Sequence, residues 1–223
     1  MIKRVGIEGY KSFQKLSLVL RPLTVIFGPN ASGKSNFLDA LYLLSRAVNQ
    51  KNLKEAFEGH RGLPLESLYY GDEGYEELLK KSNLQSTLEV DVEISPSVRK
   101  KVEGIIRAKR KGIDSESSEK QIITEPLLRY RLTIETLPET GYLRIVDERL
   151  CAIKRDGEEK RRRAFLEKEG NRIHLRMEGQ AHPTFHEIGL DHTIVSTALY
   201  EPHYPHITAF RMELANWYTY YLE

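Results

Sequence analysis

Eight consecutive residues, Gly28-Pro-Asn-Ala-Ser-Gly-Lys-Ser35, carry the clearest chemistry in this 223-residue chain. Glycines at 28 and 33 let the backbone turn tightly around an anion, in conformations costly for residues with side chains. The amides of Asn30, Ala31, Ser32, Gly33, Lys34 and Ser35 can then converge on one point, next to Pro29. If a helix starts there, its dipole adds to the attraction. A lysine at position 34 would reach the β- and γ-phosphates of a nucleoside triphosphate such as ATP, and the Ser35 hydroxyl would bind Mg²⁺. The bland alternative is a glycine-rich turn with no ligand. The full pattern between a strand and a helix argues against it.

The flanking segments supply that context. Leu23-Thr-Val-Ile-Phe27 is an almost continuous apolar run, which predicts a strand buried on both faces of a sheet. Residues 34–48 predict a helix, with Phe37, Leu41, Leu44 and Val48 on one face and Leu38 widening it. Before the loop, Val5 and Ile7, then Leu16, Leu18 and Leu20, suggest earlier strands that end at Arg21-Pro22. After a glycine-rich stretch over 49–85 the period changes to two. Leu88, Val90, Val92 and Ile94 alternate with acids, and Leu128, Tyr130, Leu132 and Ile134 with Arg129, Arg131 and Thr133. Short strands are expected near 143–154, 163–168 and 172–177, making an antiparallel meander with one wet face. The charged segment 97–122 predicts a helix followed by a mobile loop. Residues 205–221 predict a final helix carrying Ile207, Phe210, Leu214, Trp217 and Tyr221 on one face. No capping glycine follows, so further structure is expected beyond it.

Gly9-Tyr-Lys-Ser-Phe13 followed by Leu23 through Leu41 resembles the N-terminal part of an ABC-type ATPase head. The likeness is to the RecF and SMC branch and to the OLD-like and AbiEii-toxin-like ATPases of bacterial defence. It is specific over residues 1–45. It continues more weakly through His60-Arg-Gly-Leu-Pro-Leu-Glu-Ser-Leu-Tyr-Tyr-Gly71, similar to the arginine-loop stretch of SMC heads. The resemblance implies an α/β fold: half of a P-loop NTPase core, an inserted antiparallel β-meander subdomain and a C-terminal helix. Residues 1–85 would form the core with its arginine-loop-like segment, 86–178 the β-subdomain, and 179–223 a connection toward a C-terminal half. It implies ATP and Mg²⁺ as cofactors. Lys11, Asn36 and Arg61 join Gly28–Ser35 as nucleotide-binding candidates, with Ser35 the metal ligand.

In that family ATP is clamped between two heads, one of which presents a Leu-Ser-Gly-Gly-like signature. Four apolar residues running into Asp-Glu, the Walker B strand, hold Mg²⁺ and the attacking water. No signature occurs in this chain. Its one Walker-B-like string, Leu143-Arg-Ile-Val-Asp-Glu148, is interrupted by Arg144 and reads instead as an exposed strand end with a charged tip. Neither Gln50 nor Gln180 fits the Q-loop convincingly, and no residue here is assignable as catalytic. The expected partners are therefore a second ATPase head, as a homodimer, and a C-terminal half carrying the signature and Walker B acids. ATP hydrolysis, in DNA repair or bacterial defence, is expected of that assembly. This chain alone should bind nucleotide and hydrolyse poorly.

Composition narrows the partners little. Lys plus Arg number 34 and Asp plus Glu 32, a net charge of +2 that demands no polyanion. Local clusters make Lys109, Arg110 and Lys111, and Arg161, Arg162 and Arg163, the candidates for DNA contact; an effector protein is the other candidate partner. One cysteine, no membrane-length apolar run and no signal-peptide core predict a cytoplasmic protein with no membrane partner. The histidines between His174 and His206 lack a zinc pattern. Tyr200, Tyr204, Tyr218, Tyr220, Tyr221 and Trp217 are read as packing for the absent half. The rival functions are a nucleotide-gated scaffold that never hydrolyses and, ranked lower, a small P-loop kinase.

Overall fold

The computed structural model describes residues 1–71, 74–82, 84–110, 121–180, 182–218 and 220. Its strands are β1 (Ile2–Tyr10), β2 (Phe13–Val19), β3 (Leu84–Glu93), β4 (Leu127–Thr136), β5 (Leu143–Ala152), β6 (Leu166–Glu169), β7 (Arg172–Leu175) and β8 (Thr184–Glu187). They form one antiparallel sheet in the order β2-β1-β3-β4-β5-β6-β7-β8. The helices are α1 (Lys34–Ala47), α2 (Leu53–Phe57), α3 (Gly74–Leu79), α4 (Pro96–Arg110) and α5 (Pro205–Ala215).

Period-two alternation decides which way the sheet faces. Register places Val5 opposite Val90, Val90 opposite Tyr130, and Tyr130 opposite Leu150, so these side chains share one face. Val98, Val102 and Ile106 of α4 and Ile207, Phe210 and Leu214 of α5 join the same core. The odd-numbered residues of β3 and β4 face the other way and pair by charge. Asp91 accepts from Arg4 Nε at 3.0 Å and Arg129 Nε at 2.6 Å, and Arg131 meets Asp147 at 2.9 Å. That face is the polar side expected, but it is less wet than expected: Asp91, Thr133 and Glu135 are buried, and the charges are largely neutralised between strands.

Helix α1 turns a somewhat different face inward from the predicted one. Phe37, Ala40, Leu43, Leu44, Ala47 and Val48 are buried, while Leu38 is exposed and Leu41 only half-buried. The small side chains at 40 and 47 let the helix approach its neighbours, a contribution that spacing of large residues alone overlooks. Helix α5 is shorter than expected. It stops at Ala215, so Trp217 packs on the core from beyond the helix end, and Tyr221 lies outside the described residues. Of the tyrosines, Tyr204 is core while Tyr218 and Tyr220 are exposed. Of the charged segment 97–122, α4 covers the residues up to Arg110, and 111–120 also lie outside the described residues. β8 was not foreseen; only four residues long, it has little sequence over which alternation can register.

The predicted strand over 23–27 is not formed. Leu23 is 83% exposed, Val25 74% and Phe27 91%, and the segment has no ladder partner among the described residues. The sheet ends at β2, and the chain leaves that edge through a local turn in which Arg21 N donates to Thr24 Oγ1 at 3.0 Å. An apolar strand needs neighbours on both edges and both faces, and these five residues have none here.

Candidate functional site

The glycine-rich loop runs directly into α1. Gly33 adopts φ +90° at the helix start, and a Cβ there would sit 2.7 Å from Ser12 Oγ and 3.2 Å from the Phe13 ring. Only glycine therefore lets the β1–β2 turn press against the loop. Asn36 Nδ2 strengthens that contact by donating to Ser12 Oγ at 2.9 Å. The loop is open to solvent. Lys34 Nζ curls across its mouth and donates to the carbonyls of Gly28 at 2.8 Å and Pro29 at 2.6 Å, and to Ser32 Oγ at 3.3 Å. An ammonium held by two carbonyls and a hydroxyl can exchange them for the oxygens of an anion. Ser35, one residue further, exposes a hydroxyl suited to a hard cation.

Backbone strain marks the same place. Among the described residues, Lys11 (φ 45°) and Ala31 (φ 62°) are the two non-glycine residues with positive φ. Left-handed backbone is costly when a Cβ is present, and such strain collects at functional sites. Lys11 lies in the β1–β2 turn, and Ala31 in the loop itself.

Lys11 and Arg61 come together although fifty residues apart in sequence. Both reach the buried carboxylate of Asp39: Lys11 Nζ lies 2.7 Å from Oδ2, and Arg61 Nη2 lies 2.8 Å from Oδ2 with Nε 3.1 Å from Oδ1. Lys11 Nζ also donates to the Arg61 carbonyl at 2.8 Å. Burial pushes the Asp39 carboxyl upward, but the hydrogen bonds from Arg61 and Lys11 outweigh it and hold the group below its ordinary range. Next to Arg61, His60 Nε2 lies 2.5 Å from the hydroxyl of the fully buried Tyr10. Burial and the nearby Lys11 charge lower the His60 pKa, which favours a neutral ring accepting from Tyr10. An open groove of about 640 Å³ runs alongside, lined by Lys11, Ser12, Asn36, Arg61, Tyr69 and Tyr70 among others.

Asp39 was not foreseen. The signal was present: it lies four residues after Ser35, on the same helical face, as a lone carboxylate between apolar Phe37 and Ala40. Its partners could not be read, because they arrive from two distant loops.

The Walker-B-like string is organised differently from the exposed tip expected of it. A register shift between Thr133 and Ile134 leaves Val146 as an extra residue in β5. Arg144 and Asp147 face the ionic side, paired with Glu135 and Arg131. Glu148 is fully buried, opposite Leu132. It accepts from Tyr130 Oη at 2.8 Å and from the amides of Ile194 and Val195 at 2.7 and 3.2 Å. Burial pushes this carboxyl up to about 7, with those three donors only partly offsetting it. The adjacent Thr193 donates to the carbonyl of Ala47, the last residue of α1, at 3.0 Å. Glu148 therefore lies near the opposite end of α1 from Lys34, about 20 Å away at helical rise. Gln50 likewise follows that far end.

The basic clusters are partly spent on internal contacts. Lys109 pairs with Glu201, and Arg110 Nη2 donates to the Pro202 carbonyl at 2.9 Å. Lys111 lies outside the described residues. Arg161, Arg162 and Arg163 are all exposed, although Arg162 stacks over Phe165 at 4.8 Å and approaches Glu178 at 3.7 Å. Among the described residues no group of three or more His, Cys, Asp or Glu is arranged to hold a metal, and no helix is long and apolar enough to cross a membrane.

Comparison with known proteins agrees with the loop geometry. The family described as AAA ATPase domain matches residues 1–168. The chain belongs to that family. This AAA ATPase domain is also similar to the chromosome partition protein Smc of Methanocaldococcus jannaschii, at 40% identity over 60 residues, covering 26% of this chain and 5% of that protein. It is similar to the DNA replication and repair protein RecF of Trichlorobacter lovleyi, at 47% identity over 47 residues, covering 21% and 13%. A Helicobacter pylori ATP/GTP phosphatase matches at 31% identity over 102 residues, covering 42% and 28%. The chain thus spans less than a third of the length of each of these relatives. The likeness to SMC and RecF heads inferred from the loop and its flanks holds. An AAA ATPase domain of this kind binds nucleotide, typically with Mg²⁺.

Proposed function

We propose that this chain is the ATP-binding part of an ABC/SMC/RecF-like ATPase head. The observation that carries the reading is the open loop at the start of α1 with the Lys34 ammonium held across its mouth by the Gly28 and Pro29 carbonyls. Gly28–Ser35 with Asn36 would cradle the phosphates, Lys34 would bridge the terminal two, and Ser35 would hold Mg²⁺. Lys11 and Arg61 would face the nucleotide from the groove. Residues 1–85 would supply the nucleotide loop, 86–178 the β-layer, and 179–223 the connection onward.

The exposed apolar segment Leu23–Phe27 supports a composite head. Its missing sheet neighbours would come from a C-terminal half that also brings the signature motif and the Walker B acids. Glu148, at the far end of α1, offers no substitute for those acids. ATP would then clamp two such heads, and hydrolysis would release them. The likeness to RecF and Smc proteins favours work on DNA, in repair or in defence, with exposed Arg161 and Arg163 among the candidate phosphate contacts. A turnover assay on the isolated 223-residue chain tests the reading. Nucleotide binding without steady hydrolysis is expected; turnover that Lys34→Ala abolishes would overturn the composite-site part. A second reading, a nucleotide-gated scaffold, is favoured by the distance of Glu148 from the loop. It predicts no turnover even after the complementary half is supplied.

A further inference from the structure

Three charged side chains converge beside the phosphate loop, and the central one has no role in the reading above. The Asp39 side chain is 5% exposed, with Lys11 at 11% and Arg61 at 53% around it. The cluster lies on a groove that also takes in Ser12, Asn36 and the Glu66 carboxylate. The backbone around both cations is also bolted down. Lys11 N donates to the Ser67 carbonyl at 2.8 Å, Tyr69 N to the Gly9 carbonyl at 3.0 Å, and Tyr10 holds His60 next to Arg61. Lys11 keeps its left-handed backbone within this frame. An ion pair serving stability alone has no need of a strained residue at its centre.

We propose that Asp39 is a positioning residue, whose carboxylate holds Lys11 and Arg61 beside the phosphate loop so that both cations face the terminal phosphate of a bound nucleoside triphosphate. This rests on the reading that the loop binds such a nucleotide. Ser35 and Asp39 lie one helical turn apart on one face of α1, so the carboxylate sits just below the hydroxyl that meets the phosphates and metal. By gripping the guanidinium through Nε and Nη2, Asp39 fixes its plane before ligand arrives. Less side-chain freedom is then lost on binding. Both cations gain most from the phosphate that ATP has and ADP lacks.

The preference for ATP over ADP is therefore the measurement, by calorimetry with Mg²⁺ on the full 223-residue chain. Wild type should prefer ATP, Arg61→Ala should lose about tenfold of that preference, and Asp39→Asn should lose a similar factor. The Asp39→Asn/Arg61→Ala double variant should lose less than the product of the two single losses, because part of the effect of Asp39 passes through Arg61 and the rest through Lys11. Asp39→Glu keeps the charge, moves it by one methylene and should still lose preference. It serves as the second variant should Asp39→Asn fail to fold. Wild-type preference in a folded Asp39 variant, tighter ATP binding in Asp39→Asn, or full additivity with Arg61→Ala overturns the proposal. Absence of any nucleotide binding by wild type overturns the underlying reading together with it.

Discussion

Arg61 lies against Asp39, its Nη2 2.8 Å from Oδ2, across a sequence separation of 22 residues. With Lys11 on the same carboxylate, the pair staples the loop around Arg61 and the β1–β2 turn to α1, one turn below the glycine-rich loop. Asp39 is depressed below its unfolded value of about 4, so the stability it contributes is present above that value and lost as pH falls through the folded one. Urea melts followed by circular dichroism should show wild type losing stability below about pH 4 more steeply than Asp39→Asn. At pH 7, Asp39→Ala should cost about 3 kcal/mol, since it strands the mostly buried Lys11 without its anion.

Lys34 makes its hydrogen bonds to an exposed loop, so its removal should affect ligand far more than fold. Lys34→Ala should weaken ATP binding about a hundredfold by calorimetry, the scale of losing charged hydrogen bonds to phosphate. Its unfolding free energy should stay within about 0.5 kcal/mol of wild type. Equal loss of stability and binding would mean that the loop is structural.

Leu23, Val25 and Phe27 present an apolar strip to water. Such strips drive association. Phe27→Asp should lower the apparent mass of the isolated chain in sedimentation velocity without lowering its melting temperature, because the side chain is 91% exposed. An unchanged distribution of species would remove this segment as the adhesive one.

Glu148 should give the molecule an opposite pH dependence from Asp39. Its folded value of about 7 lies above the unfolded one, so its stabilising share is complete below about pH 4.3 and is lost as pH rises through 7. Between pH 5 and 8, Glu148→Gln should flatten the decline in melting temperature. The amide is also expected to lower stability at pH 5, since Ile194 N, Val195 N and Tyr130 Oη all need acceptors there.

The sequence alone determined the glycine-rich turn into α1, because it depends on residues adjacent in the chain: two glycines that permit the turn, and Lys34 and Ser35 at the start of a helix. It also determined β3 and β4, whose alternation is long enough to fix which face is buried. What tertiary structure decided was every pairing across distance. The bulge at Val146 sends Glu148 into the core, and nothing local to Leu143–Glu148 distinguishes that from an exposed tip. The strand expected at 23–27 fails for the same reason, since an apolar run becomes a strand only when neighbours supply its hydrogen bonds. Asp39 gains its role from Lys11 and Arg61, brought to it by a β-turn and a loop. A residue's own spacing can place it on a helical face, but which charges meet it there is set by the packing of the whole chain.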